Sequence, residues 1–366
     1  MVFQLPPYRA PDFSQEPFVS APVARLAPCP ADGIAPDNFH ATSNLPEYVK
    51  IDVGIWVLCP ESRMDGVIVV EGRELRVIEP RNLRQGELVV LGRTENGEEG
   101  IFVHSDGFEY AEPVAETRDK FLFNLRRTRE FPFSRDYDTL YELLRYEREH
   151  GYIVWVLGPA VAFDKDSRDA MSELIVHGYC HAIMAGNALA THDLEAALYG
   201  TALGQDIYHQ KHQPSGHCNH LDLLNKVRRY GSIAAAVRAM NLCGGIICTC
   251  LERDIPFVLA GSIRDDGPLP DVIGDVYESQ RQMREYARRA TTVIAVATQL
   301  HTIAFGNMLP SYQIRPEGVR PVYLYIIDIS EFAVDKLANR GSMQAIGITT
   351  NAQDFMVNLR RALVAH

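Results

Sequence analysis

Tyr152-Ile153-Val154-Trp155-Val156-Leu157 is an unbroken apolar run that ends in the turn signal Gly158-Pro159. Six residues are too few for a helix of ordinary length. A β-branched and aromatic run closed by Gly-Pro reads instead as a strand buried on both faces. Working outward, the same unit recurs. A helix-forming stretch, Asp166–His177, leads to a second apolar run, Cys180–Met184, and Gly186–Ala190 opens another helix that continues through Tyr199. Pro256–Ala260, Thr291–Ala297, Val322–Asp328 and Ala345–Ile348 are further apolar runs with helical stretches between them. Such alternation implies a parallel sheet covered by helices on both faces, an α/β fold class.

Upstream the pattern changes. Residues 1–45 are rich in Pro and Ala and lack periodicity, which predicts an extended arm. Over 46–113 the runs Val49–Leu58, Gly66–Val70, Glu74–Ile78, Glu87–Leu91 and Gly100–Val103 alternate with turn chemistry such as Met64-Asp-Gly66 and Asn96-Gly97. This predicts a smaller antiparallel subdomain, barrel- or sandwich-like. Two charged helical stretches, Thr117–Arg129 and Tyr137–His150, open a third region spanning 114–366.

Composition excludes several function classes. A net charge of −11 over 366 residues gives no basic footprint for nucleic acid or an anionic membrane. The first residues lack the basic flank and apolar core of a secretory leader, and runs such as Thr291–Leu300 are too short to span a bilayer. Seven cysteines are scattered from Cys29 to Cys250, and Cys243-x4-Cys248-x-Cys250 lacks the paired spacing of a zinc site. The expectation is a cytoplasmic protein with free thiols and no metal.

In an open parallel sheet, ligands sit beyond the carboxyl ends of the strands, so the loops there are the ones to inspect. Gly186-Asn187 allows a tight turn with bare backbone, and Thr191 is a candidate helix cap; a plain strand-to-helix turn is the alternative. Gly261-Ser-Ile-Arg-Asp-Asp-Gly-Pro-Leu-Pro270 packs Arg264, Asp265 and Asp266 into one loop. A site explains that density, and an Arg–Asp structural pair stiffened by Pro268 and Pro270 is the other explanation. Thr298 and His301 follow the run Thr291–Ala297, where His301 is either a reactive group or a satisfied core histidine. Asp328 closes its strand, positioned to bond ribose hydroxyls or to cap a helix. His209, His212, His217 and His220 crowd one stretch without an H-E-x-x-H motif, which favours a substrate-facing loop over a metal site. Neither G-x-G-x-x-G nor a Walker loop occurs.

Several of these stretches resemble one family. Ala35–Asn44, Met64-Asp65, Ala185–Asp193, Tyr230–Val237, Ile255–Val272, Ala297–Pro310, Asp328-Ile329 and Lys336–Ser342 are similar to the archaeal-type ornithine cyclodeaminases, also called LOR/SDH proteins. The same unit forms the C-terminal part of cyanobacterial arginine dihydrolase/ornithine cyclodeaminases. The resemblance implies a Rossmann-like NAD-binding domain over 114–366 joined to a smaller N-terminal β-rich subdomain. It places NAD contacts at Asn187, Ala188, Asp266, Thr298, Gln299, Leu300, His301 and Asp328, with Ile348 and Thr349 adding backbone contacts. Beside it, the candidates for acid–base work are Asp265 and His217, then His220 and His301, and Arg264 is the candidate carboxylate clamp.

The implied reaction converts a small diamino acid, L-ornithine, to L-proline with loss of ammonia, as in proline biosynthesis. Hydride is removed and then returned, so no net redox partner is needed. A homo-oligomer, dimer or tetramer, is expected for an enzyme of this kind. Three departures bear on the substrate. The small subdomain that precedes the arm in the family is expected to be missing. Relatives read Gly-His-Arg-His-His where this chain has Gly216-His217-Cys218-Asn219-His220, and Gln313–Arg320 is an insertion. An amine or imine oxidoreductase of secondary metabolism with net turnover is the alternative activity, and a non-catalytic NAD sensor is the third.

Overall fold

The computed structural model describes residues 3–109, 134–265, 267–338 and 344–364. The predicted helix Thr117–Arg129 and the site candidate Asp266 therefore lie outside the described residues. The chain divides into two compact units, Met1–Tyr146 with Tyr312–Pro321 and Glu147–Ser311 with Val322–His366, whereas the sequence placed its change of pattern at 113/114.

The first unit contains β1 (Arg25–Pro28), β2 (Glu47–Asp52), β3 (Ile55–Leu58), β4 (Val67–Glu71), β5 (Glu74–Ile78), β6 (Leu88–Leu91) and β7 (Ile101–Val103). They form two antiparallel sheets, β1-β6-β4-β5 and β3-β2-β7. Strand β5 shows the period-two logic: Glu74 and Arg76 face solvent while Leu75 and Val77 are buried with Val49, Ile68, Val90 and Ile101. The run Val49–Leu58 is two strands, not one. Gly54, at φ +72°, lets the chain reverse between β2 and β3. The Pro-rich arm contributes β1, paired with β6, and Lys50 Nζ anchors it by donating to the carbonyls of Phe18, Val19 and Ala21. Thr42 Oγ1 donates to Arg63 O and accepts from Gly66 N, so two family-like stretches of this unit meet.

After α1 (Ser134–His150) the second unit runs β8 (Ile153–Leu157), α2 (Lys165–Val176), β9 (Ala182–Gly186) and α3 (Asn187–Tyr199). A small hairpin, β10 (Thr201–Ala202) and β11 (Gln205–Asp206), precedes α4 (Asn219–Tyr230), α5 (Ile233–Ala239) and α6 (Ile246–Glu252). Then come β12 (Phe257–Ala260), α7 (Val276–Ala287), β13 (Thr292–Val296) and α8 (Gln299–Met308). Next are β14 (Tyr312–Arg315) and β15 (Gly318–Pro321), an antiparallel hairpin of the first unit that holds Gln313–Arg320. The chain ends with β16 (Tyr323–Asp328), α9 (Glu331–Ala338), β17 (Gln344–Thr349) and α10 (Ala352–Val364).

Six strands form one parallel sheet in the order β12-β9-β8-β13-β16-β17. Numbered by appearance, that is 3-2-1-4-5-6, the order of the dinucleotide-binding fold. Every residue of β8 and β13 is buried, which is why both read as continuous apolar runs. The chain leaves β8 toward one edge, then returns past it to β13, so a crevice opens between the ends of β8 and β13. Among the described residues no helix is long and apolar enough to cross a membrane, and no cluster of side chains suits a metal ion.

Candidate active site

Parallel register brings Ala260, Gly186, Leu157, Val296, Asp328 and Thr349 to one end of the sheet. At the crevice, Gly158 N donates to Val296 O, and a Cβ on Gly158 would overlap the Ala297 carbonyl oxygen. Only glycine fits there. Ala297 itself takes φ +52°, a conformation uncommon for a residue with a side chain. Two helices begin beside this point, α3 behind Gly186 and α8 behind Thr298, and neither first turn is capped by a side chain. Uncapped N–H groups at helix starts attract anions such as pyrophosphate.

Three of the loops singled out above converge: two are joined by hydrogen bonds, and the third lays the His301 ring against Gly186. Asp265 Oδ2 accepts from Ser262 N at 2.7 Å, and Asp265 Oδ1 accepts from Asn187 Nδ2 at 3.4 Å. The other end of the Asn187 amide accepts from Leu269 N at 3.0 Å and from Thr191 Oγ1 at 3.2 Å. Thr191 is thus inside α3 bracing Asn187, and not a helix cap. His301 lies in the first turn of α8, its Nδ1 3.1 Å from Thr298 Oγ1. Its ring covers Gly186 so closely that a Cβ there would stand 2.9 Å from Cε1. Burial pushes the His301 imidazole below its ordinary value, and the Asp265 carboxylate pulls the other way. The ring is therefore neutral at neutral pH.

The remaining candidates are spread around this cluster. Ala188 follows Asn187 in the first turn of α3, and Gln299 and Leu300 start α8 exposed. Asp328 stands beside Thr349 at the ends of β16 and β17, with Ile348 fully buried. Asp328 Oδ1 accepts from Ser330 N, while Ser330 Oγ accepts from Ala333 N and caps α9, so Asp328 is not that cap. Arg264 is exposed, and among the described residues no ion pair joins it to Asp265; a pair with Asp266 lies outside the described residues. His217 is exposed in a short turn (Gly216–Cys218) before α4. His220, half-buried, lies 6.2 Å from the His192 ring and tilted 53° to it, with its Nδ1 unpartnered. No described hydrogen bond joins His217 or His220 to Asp265.

Sequence reasoning missed the support beneath these groups. Helix α3 is buried on all sides and carries His192, Asp193 and Glu195. Glu195 accepts from Thr201 Oγ1 and Gly204 N and pairs with His192 Nδ1 at 2.9 Å. These bonds hold the hairpin whose Gly204 packs against Gly216 and His217. Polar residues on every face of an apolar-flanked helix were the available signal. A cavity of about 500 Å³ lies elsewhere, at the heads of α2 and α10, lined by Asp164, Asp166 and Asp354 with Arg361. Three carboxylates against one guanidinium would repel a pyrophosphate, so we do not assign the cofactor to it.

Strand order and site geometry define a Rossmann-fold protein with a carboxylate–imidazole cluster at the strand ends. A family model described as "Arginine dihydrolase ArgZ-like, C-terminal, Rossmann fold" matches residues 139–359, and the chain belongs to this family. It is 40% identical over 350 residues to an ornithine cyclodeaminase of Methanopyrus kandleri, covering 93% of this chain and 78% of that protein. It is 33% identical to the bifunctional arginine dihydrolase/ornithine cyclodeaminase ArgZ of Synechocystis, over 90% of this chain but 45% of that protein. Among solved structures, a conserved putative LOR/SDH protein from Methanococcus maripaludis superposes with a TM-score of 0.83 at 35% identity, over 93% of this chain and 98% of that one. The ternary complex of AgrE with ornithine and NAD+ superposes at 0.58 with 32% identity, over 94% of this chain and 46% of that one.

Proposed function

We propose that this chain is an NAD-dependent ornithine cyclodeaminase-like enzyme. It converts L-ornithine, or a related diamino acid, to L-proline or the corresponding cyclic imino acid, with release of ammonia. The observation that carries the reading is the convergence of Asp265, Asn187 and His301 at the ends of β9, β12 and β13. The residues present also fit NAD. Two uncapped helix starts and the bare backbone at Gly158 suit the pyrophosphate, and Asp328, with one carboxylate oxygen left over from Ser330, suits a ribose hydroxyl.

When bound, NAD supplies a two-electron acceptor for the amino-acid α-carbon and then returns the electrons. The protein's own residues handle protons. Asp265, anchored by Ser262 N and Asn187, accepts the proton of the α-ammonium so that its nitrogen lone pair is free. Neutral His301 accepts the proton that the δ-ammonium must shed before its nitrogen attacks the α-carbon. Attack within one bound molecule is favoured by proximity, provided that the loops hold the two nitrogens close. Arg264, exposed and next to Asp265 in sequence, is our candidate for holding the substrate carboxylate. The seven cysteines are all unpaired, which suits a reducing cytoplasm.

Incubation of the purified protein with L-ornithine and catalytic NAD+ is expected to yield proline and ammonia in equal amounts. Reduced cofactor should not accumulate. Accumulation in step with product would replace this reading by the amine-oxidoreductase alternative, and neither product appearing would remove ornithine as substrate.

The His301 shift sets a second expectation. A ring whose value is lowered from 6.5 by burial stays neutral until the pH falls below that figure. So kcat/KM should hold near neutrality and decline on the acid side, below pH 6.5. His301→Gln should remove that acid limb and lower kcat by about 100-fold. An unchanged limb in the variant would assign it to another group.

A further inference from the structure

We infer that Arg228, in the last turn of α4, is a positioning residue that clamps the loop presenting Asp265. The inference rests on Asp265 acting in the proposed reaction. The loop between β12 and α7 is irregular: Ser262 N donates to Asp265 Oδ2, Asp265 N donates to Ser262 O, Val272 N donates to Leu269 O, and Gly261 N donates to Ile273 O where the loop begins and ends. Three further tethers reach it from outside. Asp271 Oδ2 accepts from Ile233 N at 2.6 Å, at the start of α5. Asn187 accepts from Leu269 N. Between these two tethers and Asp265, the third is the Arg228 guanidinium.

Arg228 Nη2 donates to Gly267 O and, at 3.3 Å, to Pro268 O, which also accepts from Nε at 3.4 Å. Pro268 has no N–H of its own, so its carbonyl is the polar group left to hold this part of the loop. Gly267 sits at φ +104°, and a Cβ there would overlap the guanidinium, so a glycine lets the fork come close. The tethers act in series. Arg228 fixes Gly267 and Pro268, the next residue, Leu269, bonds Asn187, and Asn187 bonds Asp265. A planar fork can hold two carbonyls at once, whereas a lysine ammonium would hold one. The side chain is exposed and lies at a helix end, so its removal spares the core.

The test compares Arg228→Gln, Arg228→Lys and Gly267→Ala with the unaltered protein. Amide hydrogen exchange at Ser262, Asp265 and Leu269 should quicken about tenfold in Arg228→Gln and Gly267→Ala, and less in Arg228→Lys. The melting temperature should not move in the Arg228 variants, whereas Gly267→Ala, strained at φ +104°, should also melt somewhat lower. A loop displaced by about 1 Å should lower kcat roughly 100-fold, with KM for ornithine changed far less. Millimolar guanidinium ion should restore part of the activity of an Arg228→Ala variant, which a merely structural defect would not show. Unchanged exchange at Leu269 in Arg228→Gln, or an unchanged kcat where ornithine is turned over, overturns the clamp. Because exchange needs no substrate, a protein inactive on ornithine would sink the proposed reaction and leave the loop measurement to decide for or against Arg228.

Discussion

Asp265→Asn is expected to lower kcat by about a thousandfold, within the span that a positioned proton acceptor contributes. The fold should be unaffected. Asparagine is isosteric, and its side-chain oxygen can still accept from Ser262 N, the 2.7 Å bond that anchors this residue. What disappears is the negative charge, along with the 3.4 Å bond from Asn187 Nδ2, which an amide nitrogen at that position cannot accept. Without that charge the α-ammonium keeps its proton, and the pull that opposes the lowering of the His301 ring is lost as well. The acid limb assigned to His301 should therefore move to still lower pH in this variant. NAD affinity should stay within a few-fold, because the pyrophosphate is assigned to the starts of α3 and α8 and not to this carboxylate. Steady-state turnover with ornithine, together with fluorescence titration of NAD, separates the two. Activity within tenfold of the unaltered enzyme would remove Asp265 as the proton acceptor and pass the role to His217 or His220.

The parallel strands were legible because a strand buried on both faces leaves no polar residue to break the apolar run. β8, β13 and β16 are of this kind. Their lateral order was not legible. Whether the chain passes from β12 back across β8 to β13 depends on helix packing over the whole sheet, and no local residue pattern records it. The same limit made Val49–Leu58 look like one strand: its alternation continues across Val53-Gly54, and one glycine is a weak breaker beside eight strand-forming positions.

The site divides in a similar way. Asn187, Asp265 and His301 stood out because each is a polar residue within five positions of the end of an apolar strand, where a mere turn has no need of it. Arg228 did not, because Lys226-Val-Arg-Arg229 reads as the solvated end of an ordinary charged helix. Its contact with Gly267 spans 39 residues of sequence and exists only in the folded chain. His192 and Glu195 were hidden for a different reason: a buried hydrogen-bonded pair at i,i+3 on a helix has the same sequence pattern as an exposed one. Conversely, His217 was prominent by composition, yet the structure leaves it exposed with no described bond to Asp265.

The largest effect on stability is expected at Arg168. Its Nε donates to Asp193 Oδ1 at 2.6 Å, and Nη2 donates to Asp193 O and Gly244 O. Asp193 is fully buried and also accepts from Ile246 N and Ile247 N, capping α6. One pair thus ties α3, the helix that carries Asn187, to α2 and α6. Gly245, at φ +93°, leaves the space that the guanidinium fills. Arg168→Met would strand a buried carboxylate with two backbone donors and no countercharge, at a cost of about 3–5 kcal/mol. For a unit of this size each kcal/mol lowers Tm by roughly 2–4 °C. Asp193→Asn should cost less, since the amide oxygen can still accept from one of the two backbone N–H groups while the remaining cation lies nearer solvent. The double variant Arg168→Met/Asp193→Asn removes both charges, so it should be more stable than the sum of the single losses by about 1–3 kcal/mol. Urea titration of the four proteins reads this coupling directly. Strict additivity would mean that the pair is held by the α6 backbone alone and that its charges contribute nothing to the floor of the site.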